Sequence, residues 1–204
     1  MWEKLKIFTL GVVVSSIVTI FVASNFLITP SATTVSSEEG ASITYHANVC
    51  KKVTRADGTV EDLGCSKNIF TNAGKNHTRD QLTGIIGSTT TLMDDIAVAN
   101  VSGGAGCTAQ TDDDTTLCGE YTTCGLGRTS VANTFVRANA SALPVAGNWT
   151  VGGEFTSTCA TQPVNGTGLF NATSGGTLFA LNTFTTATLE TNDKINITWF
   201  IWLT

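Results

Sequence analysis

Ile195-Asn-Ile-Thr-Trp-Phe-Ile-Trp-Leu-Thr204 closes the chain, and its reading decides the fold. In an extended backbone Ile195, Ile197, Trp199, Ile201 and Leu203 share one face, and Asn196, Thr198, Phe200 and Trp202 share the other. A period of two in a run rich in β-branched and aromatic residues is a strand signal. Phe200 and Trp202 make the second face partly apolar too, so the strand is expected to need cover on both sides. The stretch leading up to it begins Asn165-Gly-Thr-Gly-Leu-Phe-Asn-Ala-Thr-Ser-Gly-Gly-Thr-Leu-Phe-Ala180, with Gly175-Gly176 where a turn is expected.

Working back, the alternation recurs. Trp149, Val151 and Phe155 alternate with Asn148, Thr150 and Glu154, and Ile43, Tyr45, Ala47 and Val49 alternate with polar neighbours. Met93 to Val101 reads as another strand, with Ile96 and Val98 turned inward. Asn72 to Ile86 is the one helical candidate, capped by Thr71 or Asn72, interrupted by Gly84, with Leu82, Ile85 and Ile86 on one side. Asp57-Gly58 is a hairpin signal. A two-residue turn there places Cys50 opposite Cys65, at a separation a disulfide bridges. The fold class expected is all-β: a single β-sandwich, jelly-roll or immunoglobulin-like, over residues 43–204 with one short helix.

Six cysteines, Cys50, Cys65, Cys107, Cys118, Cys124 and Cys159, give up to three disulfides and point to an oxidising location. For the four outside the hairpin, spacing alone leaves connectivity open; Cys107–Cys118 and Cys124–Cys159 are the expected pairs. No Cys-x-x-Cys is present, and His46 and His77 stand apart, so neither a metal nor a cofactor is expected. Asp112-Asp113-Asp114 offers oxygen ligands of the kind calcium takes, but without EF-hand spacing, and solvated loop acids are the commoner reading.

The N-terminus differs in kind. After Lys4 and Lys6, the 22 residues Ile7–Ile28 carry no charge, long enough to cross a bilayer as a helix. Residues 1–30 read either as a signal peptide cleaved near Val22-Ala23-Ser24 or as a retained transmembrane or filament-core helix. Residues 31–42 form a Ser/Thr-rich spacer. Charged residues are only 13% and the net charge is −5, which argues against a nucleic-acid partner. Lys51-Lys52, the one adjacent basic pair beyond the N-terminus, reads as a solvated face.

Asn-x-Ser/Thr occurs seven times, at Asn76, Asn100, Asn139, Asn148, Asn165, Asn171 and Asn196, where composition predicts roughly three or four. N-linked glycans are therefore expected, with Asn148 and Asn196 on the polar phase of strands. No Gly-x-Ser-x-Gly, His-Glu-x-x-His or phosphate-binding glycine loop occurs, and Asp94-Asp95, as strand neighbours, point to opposite faces. No catalytic role is expected of any residue.

Asp113-Asp-Thr-Thr-Leu-Cys-Gly-Glu120, Cys124-Gly-Leu-Gly-Arg128, Gly147-Asn-Trp-Thr-Val151, Phe155-Thr-Ser-Thr158, Gly168-Leu-Phe-Asn171, Ser174-Gly-Gly-Thr-Leu-Phe-Ala180 and Asp193-Lys-Ile-Asn-Ile-Thr-Trp199 follow in order. Together they resemble a family of β-rich structural proteins found among tailed-virus virion proteins and in archaeal genomes. The resemblance spans residues 69–204. It implies a structural, sandwich-like module on a virion or cell surface, with no catalytic residues to carry over. The apolar N-terminus, the cysteines and the sequons depart from the virion versions and favour an archaeal cell surface.

The anchor, spacer and β-domain layout is also similar to archaeal type IV-like pilins, though no prepilin-type cleavage site stands between Lys6 and Ile7. It is similar as well to thread-like archaeal filaments, in which a strand of one subunit completes the sheet of the next. The expected role is thus a structural subunit of an extracellular filament, with itself as partner, assembling by strand complementation or N-terminal helix packing. The alternative is an adhesion or receptor-binding module on a virion surface, or held on a membrane through residues 7–28.

Overall fold

The structure, a computed structural model, describes residues 44–84, 92–104, 106–131, 136–137 and 149–204. The expected N-terminal helix, the spacer, Ile43, Ile85, Ile86, Asn139 and Asn148 lie outside these residues.

The described chain is mostly β. Its elements are β1 (Tyr45–Thr54), β2 (Val60–Lys67), β3 (Ile69–Phe70), α1 (Asn72–Thr83), β4 (Asp95–Ala99), β5 (Thr129–Ser130), β6 (Val136–Arg137), β7 (Trp149–Thr156), β8 (Gln162–Phe170), β9 (Leu178–Leu189) and β10 (Lys194–Leu203). Two antiparallel sheets form, in the orders β2-β1-β10-β7-β6 and β3-β9-β8-β4-β5. The C-terminal strand β10 is central in the first sheet, paired along its length with β1 and over eight residues with β7.

Alternation places the core. Ile195, Ile197, Trp199 and Ile201 of β10 are buried with Val49 and Val53 of β1 and Val151 and Phe155 of β7. Ile96, Val98, Val164 and Leu169 from the second sheet belong to the same cluster. On the outer face of β10, Phe200 is 44% exposed, and Trp202 lies half-buried beside the His46 ring, centroids 5.3 Å apart. The expected cover of that face is thus supplied only in part by the described residues.

The middle of the second sheet is buried on both faces. All five residues of β4 are buried, and Ala97 and Ala99 pack with Leu117, Phe170, Leu178 and Leu181 in a separate cluster. Leu117 comes from the loop after β4, so a segment with no strand periodicity covers the outer face of this sheet. Disulfides fix that loop: Cys107–Cys118 closes it, and Cys124–Cys159 ties it to the β7–β8 connection. Three disulfides suit an oxidising environment.

The first hairpin reaches the third bridge, Cys50–Cys65, by a different route from the one predicted. Arg55 N donates to Thr59 O at 2.8 Å and Gly58 N to Arg55 O at 2.9 Å, so the loop holds three residues, not two. Thr54 then faces Val60, one residue out of the predicted register. A bulge between Lys51 and Lys52, with Leu63 as the extra residue of β2 and Gly64 at φ +72°, absorbs the difference and sets Cys50 opposite Cys65.

The helix also differs from expectation. Thr71 caps it, its hydroxyl accepting from Gly74 N at 2.9 Å, and it ends at Gly84 in the left-handed region. Leu82 is 68% exposed, so the packing face is not the predicted one. α1 lies against β9 through Gly74, where a Cβ would fall 2.1 Å from Phe179 O.

Asp193 ties the two hairpin ends together. Its carboxylate accepts from Glu190 N (3.0 Å), Arg55 Nη1 (2.8 Å) and Ala56 N (2.9 Å), joining the β9–β10 turn to the β1–β2 turn. The Glu190 amide first, then Arg55 and Ala56, hold the carboxyl below its ordinary value against the opposing effect of desolvation. A native value below the unfolded one gives stability that is present above the unfolded carboxylate range and is lost as pH falls towards the native value. Asp193→Asn is expected to cost about 1.5–3 kcal/mol at neutral pH, as for hydrogen bonds to a charged group. Urea melts from neutral to acidic pH should also show a flatter acid limb than the parent.

Candidate docking groove

A concavity of about 930 Å³ opens at the end of the sheets where β1 and β7 begin and β10 finishes, beside α1. Its floor is aromatic: Tyr45 stacks on Phe70 at 4.1 Å, and Phe179 meets both, at 5.6 and 5.0 Å. Met93, Trp149 and Leu203 add to the lining. Leu82 and Leu92, two of the four large hydrophobic side chains exposed among the described residues, both stand in it, at 68% and 49% exposure.

Polar groups at the groove are mostly spoken for. Lys75 bridges to Asp112 at 2.9 Å and Arg79 to Asp80 at 2.6 Å. Burial lowers the His77 pKa, with Asp80 opposing it, and burial raises that of Tyr45, whose hydroxyl meets Asn68 Nδ2 at 3.3 Å. The groove therefore presents grease with a tied-down charged rim.

The other residues singled out by sequence are scattered. The three acids of the 112–114 run turn to separate partners: Asp112 to Lys75, Asp113 to Asn72 Nδ2 at 2.7 Å, and Asp114 to Thr111 N at 2.7 Å. No three His, Cys, Asp or Glu side chains converge as metal ligands among the described residues. His46 and His77 sit at different places, on the outer face of β1 and on α1. Asp94 and Asp95 are both buried; desolvation first, then the Asp94 charge, raises the Asp95 carboxyl.

Among the sequons, Asn76 is exposed on α1, and Asn100, Asn171 and Asn196 are half-buried. Asn196 Nδ2 donates to Glu154 on the outer face of its sheet, at 3.2 Å, and would have to release it to carry a sugar. Asn165 is a correction. It is 4% exposed, its Oδ1 accepts from Val101 N at 2.7 Å, and its Nδ2 is engaged with Ser102 and Thr186, leaving no room for a glycan in this fold.

Lys51 and Arg128 escaped the sequence reading. Lys51, assigned to a solvated face, is 1% exposed, because β1 alternation turns it inward with Val49 and Val53. Arg128 forms a two-pronged pair with Glu120, Nε–Oε1 2.9 Å and Nη2–Oε2 2.8 Å. The signal for Lys51 lay in the strand period itself; that for Arg128 lay in no local pattern.

No family model, no curated protein and no solved structure matches the chain. No helix among the described residues is long and apolar enough to cross a membrane.

Proposed function

We propose that this protein is a structural subunit of an extracellular filament, its two sheets forming a β-sandwich of jelly-roll or immunoglobulin-like kind. One observation carries the reading: an open apolar groove holding two exposed leucines, on a disulfide-stapled body whose other features gather no catalytic or metal-binding constellation among the described residues. Such a groove suits an apolar segment from another copy. The uncharged stretch 7–28 would enter as a helix, or the spacer 31–42 as a strand. The resemblance of residues 69–204 to β-rich surface proteins and the exposed sequon at Asn76 agree with a location outside the cell.

The test is assembly of the full chain. Leu82→Glu with Leu92→Glu changes two side chains already in water, so the fold should survive, with unchanged near-UV circular dichroism. Light scattering and negative-stain microscopy should show parent polymers and a variant at least tenfold poorer in them. A parent chain that stays monomeric at every concentration and salt tried would sink the proposal.

A further inference from the structure

Lys51 is the buried charged side chain whose surroundings the fold does not explain. The residue is 1% exposed, it meets no carboxylate among the described residues, and the ring of Phe184 stands 5.3 Å from Nζ. Nζ reaches Ser66 Oγ at 2.7 Å and Val49 O at 3.1 Å. The same hydroxyl meets Asn182, 1% exposed, whose Nδ2 lies 2.9 Å from Ser66 Oγ and 2.7 Å from Lys67 O. Its Oδ1 lies 3.3 Å from the hydroxyl as well. Lys51 and Ser66 belong to one sheet and Asn182 to the other. A primary amine and a carboxamide are thus held against one serine.

We propose that Lys51 and Asn182 are the two halves of an intramolecular isopeptide bond that forms after folding and joins the two sheets. The Nζ lone pair adds to Cγ of Asn182; the Cγ–Nζ bond forms, the Cγ–Nδ2 bond breaks, and Nδ2 leaves as ammonia. One proton passes from Nζ to Ser66 Oγ while the hydroxyl proton passes to Nδ2, so the serine ends as it began. No oxidant or cofactor enters the balance. Burial without a counter-charge favours the neutral amine, and desolvation lowers the Lys51 pKa accordingly. Fixing both groups in one pocket supplies the high effective concentration that an amide exchange needs. Ser66 acts as a positioned proton relay, a role worth about 10²–10⁴-fold in rate when a side chain performs it.

The experiment is peptide mapping by mass spectrometry of the full-length protein, reduced and digested. A branched peptide containing residues 51 and 182 is expected, lighter than its two parts by about 17 Da, the mass of ammonia lost when an amine displaces an amide nitrogen. Recovery of Lys51 and Asn182 only in separate, unmodified peptides overturns the proposal, with no variant needed. Lys51→Arg should abolish the branched peptide. Ser66→Ala should slow its appearance about 100-fold, in line with loss of a proton relay; linkage at the parent rate in that variant would overturn the role given to the serine.

Discussion

Arg128→Ala is expected to destabilise the protein by about 3–5 kcal/mol, the usual cost of leaving one member of a buried ion pair alone. The Arg128 side chain is 8% exposed and that of Glu120 20%. The guanidinium does more than neutralise one carboxylate. Nη1 donates to Ala172 O at 2.6 Å and Gly175 O at 2.8 Å, and the guanidinium carbon lies 3.6 Å from the centre of the Phe170 ring. One side chain thus clasps the disulfide-bearing loop to the β8–β9 turn, with its planar face on an aromatic core residue.

Removing it leaves Glu120 and two carbonyls short of their donor. Arg128→Lys keeps the charge but not the fork, and should recover less than half the loss. Chemical denaturation of the oxidised protein measures both. A cost below about 1 kcal/mol for alanine, the range of exposed pairs, would show that the clasp is not closed in solution.

Trp199→Ala is expected to cost a similar amount, about 3–5 kcal/mol, for a different reason. Trp199 is fully buried at the middle of β10, between β1 and β7, and faces both sheets' inward residues. Truncation leaves a cavity in a core that close-packed strands cannot collapse into. Its indole Nε1 is buried with no hydrogen-bond partner among the described residues. Trp199→Phe therefore removes an unsatisfied donor while keeping most of the ring, and should cost less than about 1.5 kcal/mol. Similar losses for the two variants would mean that the indole edge, not volume, is what the core requires.

Much of the first sheet was legible in sequence because a period-two pattern states which face of a strand is buried. Ile195, Ile197, Trp199 and Ile201 announce the core face of β10, and Val151 and Phe155 that of β7. The hairpin cysteines were legible in spite of a wrong turn. The predicted two-residue loop and the observed three-residue loop differ by one residue, and the bulge at Gly64 cancels the difference. Lys51 shows the limit of composition: a basic pair reads as solvated until the alternation is followed through it, and the alternation sends Lys51 inward and Lys52 out.

The functional features were far less legible. The groove is assembled from the starts of β1 and β7, the end of β10 and one side of α1, and no local run of residues contains it. The Asn165 sequon looked like its six counterparts, because burial is not written in three residues.

By itself the sequence determined a mostly β character, which residues of the clearest strands turn inward, and about where the helix begins, since these depend on neighbours along the backbone. Only the tertiary structure decided what covers each face. Leu117 roofs the second sheet, Arg128 finds Glu120, and Ser66 stands between Lys51 and Asn182 because residues distant in sequence compete for the same buried space. That competition is settled by packing and by the cost of burying an unpaired polar group, and neither is a property of any short stretch of chain.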